Sequence, residues 1–120
     1  MAKELDLEVI EERALSNAEA YKILRKIVDK IAEKEGAAPL LLVKTLEYLK
    51  KTTKIDPDSA EALRELLSKY KLREESIIMI MNICPTTVDE LRTLLELEER
   101  VIETETAREI VETIRQYCKE

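Results

Sequence analysis

The chain of 120 residues contains no histidine, no tryptophan and no phenylalanine, and its only glycine is Gly36. Without histidine the commonest general base is missing. Ser/His/Asp and Cys/His sets and the H-E-x-x-H motif are therefore impossible. One glycine cannot build a phosphate-cradling loop. A di-metal carboxylate bundle uses E-x-x-H, which cannot occur here. The adjacent acids Glu11/Glu12, Glu74/Glu75 and Glu98/Glu99 diverge on a helix and read as solvated surface. The expectation is a chain with no catalytic residue, no metal ligand and no cofactor.

Long apolar runs are also lacking. None approaches the ~20 residues needed to span a membrane. The opening Met-Ala-Lys-Glu-Leu-Asp is acidic and has neither the basic nor the apolar region of a signal peptide. A cytoplasmic protein is expected. Cysteine is scarce too: Cys84 and Cys118 stand far apart and fit no metal-ligand spacing. They read as buried free thiols rather than as a disulfide.

What is present is charge and helix-forming aliphatics. Charged residues make up 38% of the chain, and Ala, Leu, Ile, Glu, Lys and Arg dominate. With four tyrosines as the only aromatics, the core must come from Leu, Ile and Val. An all-α fold follows, a bundle of about six helices, long enough to bury a modest core. The mixture of Glu, Lys and Arg also fits a heat-adapted source. Net charge is −6, unevenly spread. Residues 1–15 carry two basic and five acidic groups, net −3, and residues 16–56 nine and six, net +3. Residues 57–85 carry four and five, net −1, and residues 86–120 five and ten, net −5. Such a chain repels phosphate and should bind nucleic acid little by itself.

Residues 4–10 alternate Leu5, Leu7 and Val9 with Glu4, Asp6 and Glu8, which is strand periodicity. A lone strand in a helical chain must pair its backbone elsewhere. It either adds to a partner's sheet or frays as a terminal tail. Residues 1–15 are thus expected to be an extended segment and residues 16–120 a single helical domain.

Ser16 and Glu19 form a capping box for a first helix, and Gly36 suits its C-terminal cap. Ala20, Ile23, Leu24, Ile27, Val28 and Ile31 cover an arc of roughly 140°. Such a helix either touches two neighbours inside the domain or keeps one shoulder for a partner. Pro39 suits the first turn of a second helix, running to about Lys51. Asp56 and Pro57 open a third, with Ala60, Leu63, Leu67 and Tyr70 as its stripe. A fourth, with Ile77, Ile78, Met79, Ile80, Met81 and Ile83, is apolar nearly all round and should be buried on every side. Thr104 should cap a sixth, whose stripe is Ala107, Ile110, Val111, Ile114, Tyr117 and Cys118.

The stretch Ile83-Cys84-Pro85-Thr86-Thr87-Val88-Asp89-Glu90-Leu91-Arg92 is a helix stop, a tight turn and a helix restart. Pro85 ends the helix at Cys84. Thr87 and Glu90 form a second capping box, and Val88, Leu91, Leu94 and Leu95 give the fifth helix one apolar face. Cys84, Pro85, Thr87 and Glu90 are therefore structural turn residues. A helix-hairpin-helix would bind phosphate through glycines at such a turn, but here Asp89 and Glu90 follow instead.

This Ile-Cys-Pro-x-Thr-x-Asp-Glu-Leu-Arg pattern resembles the C-terminal signature of a family of archaeal DNA-directed RNA polymerase subunits. That family is the counterpart of the fourth-largest subunit of eukaryotic RNA polymerase II. Ser16–Leu24, Leu46–Lys51 followed by Asp56-Pro57, and Ile110–Tyr117 resemble other parts of that family, in order. The resemblance implies a C-terminal part similar to the helicase-and-ribonuclease-D C-terminal (HRDC) fold. It also implies a non-catalytic stalk protein in a one-to-one heterodimer. The partner would be the other stalk protein of the polymerase, a two-domain chain with an S1-type RNA-binding barrel. Through that S1-barrel partner the chain would join the polymerase core beside the RNA exit path. Family members hold the partner with the N-terminal segment and first helix. On this chain that implies Leu5, Leu7, Val9 and Ile10, with Ala20, Ile23, Leu24 and Ile27. RNA contact would fall largely to the S1-barrel partner. Other classes that the residues allow are a stand-alone HRDC-like nucleic-acid-binding domain and an unrelated helical adaptor.

Overall fold

The computed structural model describes residues 13–118, within which the chain forms six α-helices. The expected strand at residues 4–10 lies outside the described residues. Helix α1 (Asn17–Glu35) starts where the capping box requires: Glu19 N–H donates to Ser16 Oγ, and Ser16 N–H donates to Glu19 Oε1. It stops at Gly36, whose φ of 83° is the left-handed conformation that only glycine adopts freely. Helix α2 (Leu40–Thr52) follows, with Pro39 one place earlier than expected, at the N-cap.

Asp56 and Pro57 first form a single 3-10 turn, Pro57–Ser59, in which Asp58 N–H donates to Asp56 Oδ1. Helix α3 (Ala60–Ser68) continues from it. Helix α4 (Glu74–Ile83) ends at Cys84, left-handed at φ 56°, and fully buried Pro85 prevents its continuation. Helix α5 (Val88–Leu94) carries the second capping box, with Glu90 N–H donating to Thr87 Oγ1. A 3-10 turn, Leu95–Leu97, leads to helix α6 (Thr104–Tyr117).

The core lies among α3, α4, α5 and α6. Ile55, Leu63, Leu67, Ile80, Met81, Leu91, Ile110 and Ile114 are sealed from solvent. Each such side chain contributes about 1.5–3 kcal/mol of hydrophobic stabilisation. Helix α1 rests its first turns on α3 and α4, and α2 folds back along α1 with no buried residue of its own. The α5–α6 connection is tied to the start of α4. Glu98 accepts from Arg73 N–H at 2.8 Å and from Ser76 Oγ at 2.7 Å, capping a helix start that has no local cap. Arg100 donates to the carbonyls of Tyr70 and Lys71, at the turn where Lys71 has φ 59°.

Three expectations are corrected. Cys84 and Cys118 are joined in a disulfide, not left as free thiols. The fold brings the end of α4 and the end of α6 to a Cα separation of 6.3 Å, within disulfide range, which their 34-residue separation in sequence hides. Thr104 does not cap α6; Glu103 occupies the N-cap, with no side-chain cap bond. Helix α4 is not buried all round. Ser76, Ile77, Ile80 and Met81 face the core, Ile78 and Met79 are only partly covered, and Ile83 is exposed, because the neighbouring helices do not close round the whole of α4.

Candidate functional site

The described residues offer no cluster of three or more acidic or cysteine side chains that could hold a metal ion, and no helix long and apolar enough to cross a membrane. The surface to which the sequence pointed is the outer side of α1. At 100° per residue, Ile23, Ile27, Ala20 and Leu24 fall within an arc of about 100°. Ile23 is 49% and Ile27 45% exposed, whereas Ala20 is half-buried. Val28 and Ala18 lie further round and are buried. The wide apolar arc of the sequence thus divides into a core-facing part and an open shoulder. The helix meets neighbours inside the domain on one side and leaves Ile23 and Ile27 open on another.

The shoulder stands on a rigid base. Glu19 is buried and accepts from Arg64 Nε at 2.7 Å and from Arg64 Nη2 at 2.9 Å, besides the Ser16 bonds. Arg64 also donates to the Ala14 carbonyl at 2.7 Å and to Glu74 at 3.3 Å. Arg13 reaches Glu61 at 2.9 Å and Glu19 at 3.5 Å. Asn17 N–H donates to Asn82 Oδ1 at 2.7 Å, which fastens the same turn to α4. Burial alone would raise the Glu19 carboxyl pKa. The hydrogen bonds from Arg64 and Ser16, together with the Arg64 charge, outweigh it and hold the group below its ordinary value. The same hydrogen bond to Glu19 raises Arg64, against the opposing effect of its burial.

Sequence reading missed Arg64. The signal was its place at the edge of the α3 stripe, beside Ala60 and Leu67, where a buried charge needs a partner. Leu15, 37% exposed, and Ile23 line a small cleft of about 100 Å³ between residues 13–15, α1 and the start of α3. A larger cavity, about 430 Å³, is lined by Lys22, Arg25, Lys26 and Lys50 on one hand and Asp29, Asp56 and Asp58 on the other. Lys22 pairs with Asp58 at 3.5 Å. The basic groups of α1 therefore face nearly as many carboxylates, which weakens any pull on phosphate.

Of the other sequence-derived residues, Leu5, Leu7, Val9 and Ile10 lie outside the described residues. Cys84, Pro85, Thr87 and Glu90 come together at the α4–α5 turn. There Glu90 accepts from Thr86 N–H and Oγ1 and from Thr87 N–H, and these bonds, Thr86's first, hold its carboxyl below the ordinary range. This turn is separate from the α1 shoulder. Exposed apolar side chains also occur on α2, where Leu41 and Tyr48 share a face, and on the α5–α6 connection at Leu97 and Val101.

Comparison with known proteins gives this geometry a setting. The sequence model of the family RNA polymerase Rpb4 matches residues 14–118. DNA-directed RNA polymerase subunit Rpo4 of Sulfolobus acidocaldarius is 32% identical over 114 residues, covering 94% of this chain and 96% of that protein. The protein of the same name from Saccharolobus solfataricus is 31% identical over 112 residues, covering 92% and 95%. That from Methanocaldococcus jannaschii is 30% identical over 111 residues, covering 91% and 88%. Similarity this even along both chains, over every helix described above, means that the chain belongs to the RNA polymerase Rpb4 family.

Proposed function

We propose that this chain is the non-catalytic stalk protein of an archaeal DNA-directed RNA polymerase, forming a one-to-one heterodimer with the S1-barrel stalk protein beside the RNA exit path. Membership of the Rpb4 family supports a place in transcription. The observation that carries the finer reading is the pair Ile23 and Ile27, about half exposed on a helix whose first turn is otherwise fixed by buried hydrogen bonds. A rigid helix with an open apolar shoulder loses little entropy when a partner covers it.

In this reading residues 1–15 are the partner-binding segment and residues 16–120 the helical domain, with α3–α6 as its HRDC-like part. Leu5, Leu7, Val9 and Ile10 add as a strand to a sheet of the S1-barrel partner, so that main-chain hydrogen bonds hold them and alternate side chains fill pockets. Ala20, Ile23, Leu24 and Ile27 supply the adjoining hydrophobic surface. RNA contact falls to the partner, because a net charge of −6 repels phosphate. The setting is the cytoplasm, where the polymerase core is reached through the partner.

The test is co-expression with a candidate S1-barrel partner followed by gel filtration. One peak with equal amounts of the two chains is expected. Separate elution of two folded proteins at micromolar concentration would overturn the reading.

A further inference from the structure

We infer that the Cys84–Cys118 disulfide is a redox-controlled clasp: a dithiol reductant opens it, and opening loosens the seat of the α1–α2 hairpin while the bundle stays folded. The inference does not depend on the stalk reading.

Three separate parts of the chain meet at this bond. Cys84 closes α4, its N–H donating to the Ile80 carbonyl at 2.8 Å, and it is 9% exposed. Cys118 is the first residue beyond α6, extended, with its N–H on the Ile114 carbonyl at 3.0 Å. Cys118 also forms an antiparallel bridge with Ile55, which is fully buried in the connection from α2 to α3. That connection is the point where the hairpin enters the bundle. Helix α2 has no buried residue and packs chiefly on α1, so residues 53–56 fasten its C-terminal end.

Apart from the clasp and the burial of Ile55, little else fastens this connection. Lys54 Nζ donates to the Ile83 carbonyl at 3.2 Å, at the exposed surface. Thr53 Oγ1 is buried without a hydrogen-bond partner, an unsatisfied group that disfavours the closed arrangement. Once the sulfur bond is broken, Cys118 keeps its bridge to Ile55, its N–H bond to the Ile114 carbonyl and its packing on the core edge, and the last turn of α6 opens more readily than the rest of the helix. Fraying there removes the cover from Ile55 and with it the anchor of residues 53–56. Ile55 and Cys84 border the same core as Leu63, Leu67, Ile80, Leu91 and Ile110, but those five also pack on one another, and their mutual contacts persist.

Both cysteines border open space. A cavity of about 710 Å³ is lined by both cysteines together with Lys54, Ile83, Pro85 and Arg115. Cys118 is the less buried of the pair. A reductant thiolate attacks Cys118 Sγ, forming a mixed disulfide and expelling the Cys84 thiolate, which takes up a proton. The reductant's second thiol then attacks its own sulfur in the mixed disulfide and releases Cys118 as a thiol. Two electrons and two protons pass to the protein, and the dithiol leaves as a cyclic disulfide.

Hydrogen exchange read by mass spectrometry on the full chain tests the clasp, before and after treatment with dithiothreitol, with alkylation mass counting free thiols. The chain isolated without reductant should show no free thiol. After reduction, amides of residues 40–56 and 114–118 should exchange about tenfold faster, while α1 residues 17–24, α3 and α5 keep their protection. Reoxidation should restore the first pattern, and C84S/C118S should match the reduced protein; should that variant fail to fold, the reduced wild type still decides. Two free thiols from the outset, unchanged exchange after full reduction, or loss of protection throughout the bundle would each overturn the inference.

Discussion

Arg64 Nε donates to Glu19 Oε2 at 2.7 Å, joining the middle of α3 to the first turn of α1 across 45 residues of sequence. The two side chains are 11% and 6% exposed, so if one is lost the other stays largely out of water, with only the longer contacts to Arg13 at 3.5 Å and to Glu74 at 3.3 Å as remaining charge partners. The pair does two tasks at once. It completes the capping box of α1, and through the Ala14 carbonyl it holds the chain that leads into that helix.

Replacing Arg64 should therefore be costly. R64A leaves the Glu19 carboxylate buried without its partner and should lower stability by about 3–5 kcal/mol. E19Q/R64M keeps a capping-box side chain and the aliphatic bulk, and should lose less than R64A alone. Urea unfolding followed by circular dichroism reads both. An R64A protein within about 1 kcal/mol of wild type would show that the pair is replaceable by water.

Acid should act through the same pair. The Glu19 carboxyl lies lower in the folded state than its unfolded value of about 4.3. A depressed carboxylate contributes stability that is complete above the unfolded value and is lost as pH falls through the folded one. Glu98, whose burial is outweighed by its bonds from Arg73 and Ser76, adds in the same direction. Urea midpoints measured from neutral pH downward should stay level until about pH 5 and then fall. The fall should be shallower in E19Q, which has no carboxyl to protonate. Parallel curves for the two proteins would remove Glu19 from the acid response.

At the α4–α5 turn, Thr87 Oγ1 accepts from Glu90 N–H at 3.1 Å. T87A should cost about 1 kcal/mol, the usual value of an N-cap side chain. T87S should restore most of it, since the accepting oxygen returns. Equal stability of T87A and wild type would mean that Pro85 and the burial of Leu91 fix the start of α5 without help.

How much of this was legible follows the range of the interactions. Ser16 with Glu19, Thr87 with Glu90, Gly36 and Pro85 act on their own neighbours, and the sequence displays them directly. The stripes of α3 and α6 are periodic, and the core residues follow. Links between distant residues were not legible. The disulfide depends on where two helix ends meet, and the salt bridge on which face of α3 meets α1. Ile55 sits alone between polar residues in a short connection, with no period to mark it, yet it is fully buried. Ile83 belongs to an apolar run, yet it is exposed because the neighbouring helices do not close round the end of α4 at that position. The shoulder of α1 was half legible: the width of the arc showed that more than one neighbour was needed, and packing decided which residues stay open.

That division supplies the sharpest test of the partner surface. Ile23 and Ile27 are about half exposed in the free chain, so I23D and I27D should leave the helix content and the urea midpoint close to wild type. Against a partner the same charges would be buried without a counter-ion, which costs far more than a lost methyl contact. The doubly substituted chain should therefore fail to co-elute with the S1-barrel stalk protein. Val101, 87% exposed on the α5–α6 connection, provides the control. V101D adds the same charge to the surface and should leave the pair intact. Co-elution of the I23D/I27D chain with that partner would take the shoulder of α1 out of the interface. Loss of binding in V101D as well would mean that added negative charge anywhere is enough, and that the contact is electrostatic instead of apolar.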